Sequence, residues 1–326
     1  MAADKRAARD GAYDLIIVGG GPAGSAAAIA ARRFKLKTLV IERGATPQPG
    51  PCPGWLGPAA IRVCQECGVD LKAVAGAEFA GLRLWPWDLS THVDIADPEL
   101  RGWIVEPATL SRALLGAARA AGAQVLQPAH VSRLQLGESR ATLSLQDRGT
   151  ATGGVLLVAD GIGSRTAQLA NLTAPRQEGS AGTAAQAVLQ SPDVRHGLDV
   201  VLGAGRTLRI ATIVQLGTQI RVTLLTRDAE SPAAAQLNAL LSAARGAGVL
   251  PPDSPATVRP IPCLAGAALE SESHVGKRCL LVGDAGGFVA AFSNEGLYPS
   301  LLNPFIHILI KRLRKIQRVI FILRPF

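Results

Sequence analysis

Aromatic residues, methionine, clustered histidine and long apolar runs are all scarce in this chain, and each scarcity removes a class of function. Phe, Trp and Tyr make up 4% of the 326 residues and do not interleave with basic side chains, so a stacking surface for single-stranded nucleic acid is not expected. His92, His130, His196, His274 and His307 are scattered, and none stands with an acid in a pattern that suggests a triad or a metal site. No stretch approaches the roughly 18 consecutive apolar residues of a membrane-spanning helix. Cysteine is odd in number (Cys52, Cys64, Cys67, Cys263, Cys279), and the first twelve residues, with Asp4, Lys5, Arg6, Arg9 and Asp10, lack an apolar leader core. The expectation is a reducing, cytoplasmic setting and a solvated arm over residues 1–12.

The chain is 48% hydrophobic and 18% charged, a balance that suits one large or two intertwined globular domains. Its formal charge of +9 is local: Lys311, Arg312, Arg314, Lys315, Arg318 and Arg324 lie beyond Leu301 with no acid among them, which leaves +3 for the rest. No nucleic-acid partner is therefore expected.

The stretch from Tyr13 to Glu42 is the most informative. An apolar run (Leu15, Ile16, Ile17, Val18) leads into Gly19, Gly21 and Gly24 at G-x-G-x-x-G spacing, followed by an alanine-rich helical segment and a second apolar run ending at Glu42. Strand, glycines, helix, strand and acid in that order form the dinucleotide-binding context. The first glycine permits the tight turn, the second lets backbone approach a pyrophosphate, and the third lets helix pack on strand. A helix beginning near Pro22 and Ala23 offers free N–H groups and partial positive charge to phosphates. Glu42, 23 positions past Gly19, suits ribose hydroxyls and repels a 2′-phosphate, so the adenosine half of FAD or NAD fits better than that of NADP.

Further along, Gly57 to Cys67 reads as a helix carrying Cys64 and Cys67. A redox pair or half a zinc site is weighed against structural cysteines, and the helical context with no second close ligand pair favours the latter. Short strands are expected at Leu82–Trp85, His92–Ile95 and Trp103–Val105. A helix from Pro107 carries Leu110, Leu114, Leu115 and Ala118 on one stripe and stops at Gly122. Strands follow at Gln124–Leu126, Val131–Leu136, Ala141–Leu145 and Val155–Val158, the last leading into Asp160-Gly161. From Thr183 to Thr226 the pattern becomes β segments at Ala187–Leu189, Val200–Leu202, Leu208–Leu216 and Ile220–Leu225, which implies an antiparallel sheet covering a site. A helix from Ser231, a strand at Val258–Pro262 and a buried strand at Cys279–Val282 complete the body, the last running into Gly283-Asp284-Ala285-Gly286-Gly287.

The expected fold class is α/β: a Rossmann-type FAD-binding domain with an inserted antiparallel β-sheet substrate domain. The boundaries are residues 13–80, 104–172 and 276–300 for the nucleotide domain and 81–103 and 173–275 for the β-rich domain. Residues 301–326 form a basic amphipathic C-terminal segment.

The glycine turn with Glu42, the Asp160-Gly161 pair and the Gly283-Asp284-Ala285 motif together resemble flavoproteins of the p-hydroxybenzoate hydroxylase fold, over about Tyr13 to Pro299. The likeness is sharper to the geranylgeranyl reductase-like branch, through Gly283 to Val289, Asn294-Glu295-Gly296-Leu297-Tyr298 and the loop Pro51-Cys52-Pro53-Gly54-Trp55-Leu56. The resemblance implies FAD as cofactor, Asp284 on its ribityl chain, Asp160 and Gly161 near its pyrophosphate, and the Cys52 loop near the ring; Cys52 is the candidate proton donor there, weighed against a loop cysteine with no role. The full cofactor set is Gly19, Gly21, Pro22, Ala23, Gly24, Glu42, Arg43, Asp160, Gly161, Asp284, Gly287, Glu295 and Gly296, with a helix near Glu295 aimed at the pyrimidine. Trp55, Trp85 and Trp87 are candidates for the substrate pocket, although two tryptophans on one strand face are more often core. Glu106 and Pro107 stand where the fold often carries an arginine ahead of the long helix.

The implied activity is reduction of C=C bonds of a hydrophobic, isoprenoid-like substrate by hydride from reduced flavin. NAD(P)H or a ferredoxin-like electron-donor protein would act as reductant. A monooxygenase on the same fold and a non-catalytic scaffold are the rivals. For Leu301 to Phe326 a truncated or frame-altered end ranks first. A packed terminal helix and a basic amphipathic helix over 305–324 in peripheral contact with an anionic membrane are the alternatives.

Overall fold

The computed structural model describes residues 12–46, 52–172, 183–203, 208–228, 230–264, 267–270, 273–290 and 295–302. Nearly all of the expected N-terminal arm and the basic segment beyond Leu302 lie outside these residues, as do Pro51 and Asn294.

Five parallel strands form the centre of the main sheet, in the order Cys279–Leu281, Gly149–Val158, Tyr13–Val18, Thr38–Ile41 and Gln124–Leu126. The first strand sits in the middle, with Ile16 opposite Leu156 on one side and Leu39 on the other. A strand flanked on both edges and covered on both faces must be apolar throughout, and Leu15, Ile16 and Ile17 are at most 1% exposed. Helix Pro22–Arg33 lies on one face, where Ala27, Ala28 and Ala31 reduce the helix to a thin cylinder against Ile17, Val40 and Leu157. Helix Pro107–Ala120 packs beside it through Leu115 and Ala118. Strands Val131–Leu136 and Ala141–Leu145 extend the sheet antiparallel from Gly149–Val158.

All the sequence motifs lie just beyond the carboxyl ends of these parallel strands, the edge where open α/β sheets bind ligands. The expected strands Gln124–Leu126, Val131–Leu136 and Ala141–Leu145 occur with those bounds.

The second sheet is built on two long antiparallel strands, Thr183–Gly203 and Arg209–Thr226; Thr257–Ile261 and Leu82–Pro86 pair with the two ends of the free edge of Thr183–Gly203, and Val93–Ile95 lies beyond Leu82–Pro86. The four segments expected between Thr183 and Thr226 are thus two continuous strands. The sequence signal breaks because register shifts between Gln190 and Arg195, where Pro192, Asp193 and Val194 are exposed and alternation is lost. One face packs on helix Ala233–Gly246 through Ala187, Val201, Ile213, Val222, Leu237 and Leu241. The other turns toward the nucleotide domain.

A third, small sheet joins Trp55–Leu56, Arg101–Val105 and Gly76–Ala80. It was not anticipated, and its strand Arg101–Val105 runs across the boundary expected at 103/104. Pairing with Gly76–Ala80 along the whole strand keeps its first three residues out of the larger sheet. Among the described residues, no helix is long and apolar enough to cross a membrane.

Candidate functional site

The glycine turn shows three different constraints at its three glycines. Gly19 has φ +105°, and a Cβ there would strike the Ala159 carbonyl; one on Gly24 would strike the carbonyl of Gly19. A Cβ on Gly21 would meet nothing within 4 Å. It would project instead into a cavity of about 510 Å³ lined by Gly19, Gly21, Pro22 and Ala23. Gly21 is also the N-cap of helix Pro22–Arg33 and no side chain caps that helix, so its partial positive charge is directed at the cavity.

Glu42 closes one end. It is 8% exposed, accepting Gly20 N–H at 2.7 Å on Oε2 and Gly44 N–H at 2.8 Å on Oε1. Two backbone donors fix the carboxylate, with lone pairs left for hydroxyl donors in the cavity. Arg43 and Gly44 continue the wall. His130 joins them from the loop after Gln124–Leu126, Ser132 from the start of strand Val131–Leu136 and Gln146 from just past strand Ala141–Leu145. Sequence reasoning left His130 unassigned, since nothing local shows that the loop folds back over Glu42. The backbone bond from Ala129 N–H to Glu42 O, 2.8 Å, is what places it.

The middle of the cavity is walled by Asp160-Gly161-Ile162-Gly163. Asp160 does not point a free carboxylate at a ligand: it accepts the Ser164 hydroxyl and, at 3.1 Å, the Thr166 N–H, so it braces the short helix Arg165–Leu169. Gly161 and Gly163 both have positive φ and open space at Cβ. Their backbone, rather than the Asp160 side chain, is therefore available to an anion.

At the far end Cys52, Pro53, Asp284, Gly296 and Leu297 line the same cavity. Asp284 sits in the tight turn Gly283–Gly286, where burial pushes its carboxyl up to about 6. A Cβ on Gly296 would lie 2.8 Å from Asp284 Oδ1, so glycine is needed there. Behind the turn, His274 Nε2 lies 2.9 Å from Gly286 O and its ring packs on Phe288. Cys52 is only partly buried by area, yet protein surrounds its sulfur closely enough for burial to push the thiol up to about 12. Cys64 is likewise pushed up to about 12 within the core, and Cys67 is raised. These groups stay protonated at neutral pH, so none is a thiolate nucleophile.

Several expected site residues are placed elsewhere. Gly287 does not line the cavity; it closes the turn with φ +70°, against Ala267. Glu295 accepts Tyr298 N–H at 2.8 Å and so starts helix Leu297–Leu302 rather than facing a ligand. None of Trp55, Trp85 and Trp87 lines this cavity. Trp85 is 8% exposed behind the second sheet, donating from Nε1 to Asp199 at 2.9 Å, and Trp87 packs in the same core under Arg209. Trp55 packs between sheets with Phe79, Ile104, Leu198 and Val214. For Trp85 and Trp87, strand alternation alone gave no indication of which face meets helix Ala233–Gly246.

The cavity suits FAD: an acid placed for ribose at one end, a glycine cradle and helix terminus for pyrophosphate, and a buried acid for a polyol at the other end. The chain belongs to the pyridine nucleotide-disulphide oxidoreductase family, whose model matches residues 13–227. It is similar to menaquinone reductase of Mycobacterium tuberculosis, 32% identical over 156 residues, which is 47% of this chain and 38% of that protein. The chain thus matches well under half the length of that relative. Among solved structures, a geranylgeranyl bacteriochlorophyll reductase-like protein from Thermoplasma acidophilum has TM-score 0.76 and 17% identity, covering 94% of this chain and 79% of that one. A probable FAD-dependent monooxygenase from Pseudomonas aeruginosa has TM-score 0.69 and 17% identity, covering 94% and 87%. At such identities these likenesses concern the fold, and it is the one expected from sequence.

Asp284 sets a pH dependence. Ribityl hydroxyls donating to its carboxylate would favour the ionised form, so flavin uptake releases the proton held up to about pH 6. The affinity of apoprotein for FAD should therefore rise about tenfold between pH 5 and pH 7 and then level, with Asp284→Asn flattening the curve in fluorescence titrations. The apoprotein's stability should move the other way: its raised carboxyl holds a proton more tightly than the unfolded chain does, so this contribution declines as pH rises from about 4 to about 6.

Proposed function

We propose that the protein uses FAD to reduce carbon–carbon double bonds of a hydrophobic, isoprenoid-like substrate. The observation that carries this reading is one cavity running from the Glu42 carboxylate, past the Gly21 cradle, to Cys52 and Asp284. Bound and reduced, FAD would supply the hydride, with NAD(P)H or a ferredoxin-like protein as the source of electrons.

The chain's own residues do the rest. Gly19, Gly21, Pro22, Ala23, Glu42 and Arg43 hold the adenylate end, and the Gly161 turn lies along the middle. Asp284 and Gly296 hold the far end. Pro53, Pro107, Pro262, Leu264 and Val289 present an apolar wall there that excludes water and suits an alkene. Cys52 keeps its proton, so its Sγ–H can deliver the second hydrogen to carbon and be restored from solvent. A relative named menaquinone reductase supports a lipid substrate, and the reductase-like fold neighbour is consistent with it.

Purified protein should be yellow and release FAD on denaturation. Under anaerobic conditions with dithionite-reduced flavin, a polyprenyl alkene such as geranylgeraniol should gain two hydrogen atoms by mass spectrometry. Cys52→Ala should slow this about a hundredfold, within the range of a lost general acid, without releasing flavin. Gain of one oxygen atom under air instead would make it a monooxygenase. A colourless protein that takes up no FAD would overturn the reading.

A further inference from the structure

We propose that Arg221 is a substrate-anchoring residue that binds a carbonyl oxygen, so that the preferred substrate is a conjugated carbonyl compound rather than a plain hydrocarbon alkene. This deepens the reductase reading and rests on it.

Arg221 lies on the sheet face opposite helix Ala233–Gly246. Its cross-strand partner is Val188, and Thr223 beside it pairs with Gln186, whereas Val222 and Leu224 point the other way into the helix-packed core. Around Arg221 this face carries polar side chains, flanked on the same face by the apolar pairs Ala184 with Leu225 and Leu198 with Val214. Gln186 is 2% exposed and bonds Thr223 at 3.1 Å, and Arg259 reaches Gln186 at 3.1 Å.

The Arg221 guanidinium crosses from this sheet to the rim of the cavity. It pairs with Glu106, the residue before Pro107, and sits against Gly54, the residue after Cys52-Pro53. Pro107, Cys52 and Pro53 all line the cavity, so the cation stands between two of its walls. Gly54 has φ +89°, and a Cβ there would lie 2.9 Å from Arg221 Nη1, so the loop's glycine makes room for this side chain.

Among the described residues only one nitrogen is committed. Nη2 donates to Glu106 and, at 2.7 Å, to Gln219 Oε1, and the side chain is 12% exposed. A nearly buried guanidinium with donors on Nη1 and Nε to spare is suited to an electron-rich oxygen. Held there, a carbonyl would draw charge from a conjugated double bond, and Arg221 would stabilise the negative oxygen that forms as the far carbon accepts hydride. Glu106 keeps the cation oriented and partly neutralised when no substrate is bound.

The test uses the full chain and two probes differing only in their oxygens: 2,3-dimethyl-1,4-naphthoquinone, blocked against thiol addition, and 2,3-dimethylnaphthalene. Binding is measured by calorimetry for wild type, Arg221→Met and Arg221→Lys, with FAD uptake followed in parallel. We expect the wild type to prefer the quinone, Arg221→Met to weaken the quinone tenfold or more, and Arg221→Lys to recover part of the loss. Hydrocarbon binding should not change. Equal weakening of both probes would make Arg221 a structural latch, and unaltered or absent quinone binding would overturn the proposal. If wild type fails to take up FAD, the reductase reading fails separately, whatever the probes show.

Discussion

Gly21→Val should give a protein that folds with normal stability and holds no flavin. A Cβ at Gly21 meets nothing within 4 Å, so the chain has room for it, and the only space it fills is the cradle beneath the first helix turn. A valine there places methyl groups where phosphate oxygens must approach backbone N–H groups. The lost anion site should cost at least a hundredfold in FAD affinity, an estimate of about 3 kcal/mol from several charge-assisted hydrogen bonds. Gly24→Val is the contrasting variant. Its Cβ would collide with the Gly19 carbonyl inside the strand-to-helix turn, so it should unfold the domain rather than merely empty it. Circular dichroism melts with flavin fluorescence on both variants separate the two effects. A Gly21→Val protein that still binds FAD would mean that the pyrophosphate lies elsewhere.

Asp199→Ala should be a destabilising change away from the cavity. Asp199 is 0% exposed, with salt bridges of 2.6 Å to both Arg83 and Arg195 and a 2.9 Å bond from Trp85 Nε1. Removing it leaves the buried Trp85 indole N–H without its acceptor and unpairs Arg83 and Arg195, whose side chains are 29% and 41% exposed and stay in reach of water. An unsatisfied buried donor together with the lost charge-assisted bonds costs about 1–3 kcal/mol. That is an appreciable share of a typical domain's roughly 5–15 kcal/mol. Because Arg83 and Trp85 lie on the flanking strand Leu82–Pro86, urea unfolding should show the β-rich region loosening, with near-ultraviolet signal from Trp85 lost first. A midpoint unchanged from wild type would show that water satisfies the indole as well as the arginines. Asp199→Asn, which keeps the acceptor for Trp85, should lie between the two.

These two sites differ in how they could be found. The flavin cradle is a local object: strand, turn and helix are contiguous, and each glycine acts on neighbours a few residues away, apart from the Gly19–Ala159 contact. The Asp199 cluster joins strands more than a hundred residues apart, and in sequence Asp199 is one acid among apolar neighbours. The same distinction separates Glu42, legible from its offset, from His130, which reaches the cavity only through the Ala129–Glu42 backbone bond.

The sequence by itself determined the nucleotide domain, because period, glycine spacing and the acid after the second strand are short-range consequences of one βαβ unit. It also determined that a second, antiparallel sheet follows, from alternation alone. The tertiary structure decided which face of that sheet meets helix Ala233–Gly246, and so sent Trp85 and Trp87 into the core and Arg221 to the cavity rim. It decided as well that the Asp160 and Glu295 carboxylates brace helices Arg165–Leu169 and Leu297–Leu302. The physical reason is common to all of them. Side-chain direction in a strand or loop follows from what packs on each face, and that packing depends on elements far apart in the chain.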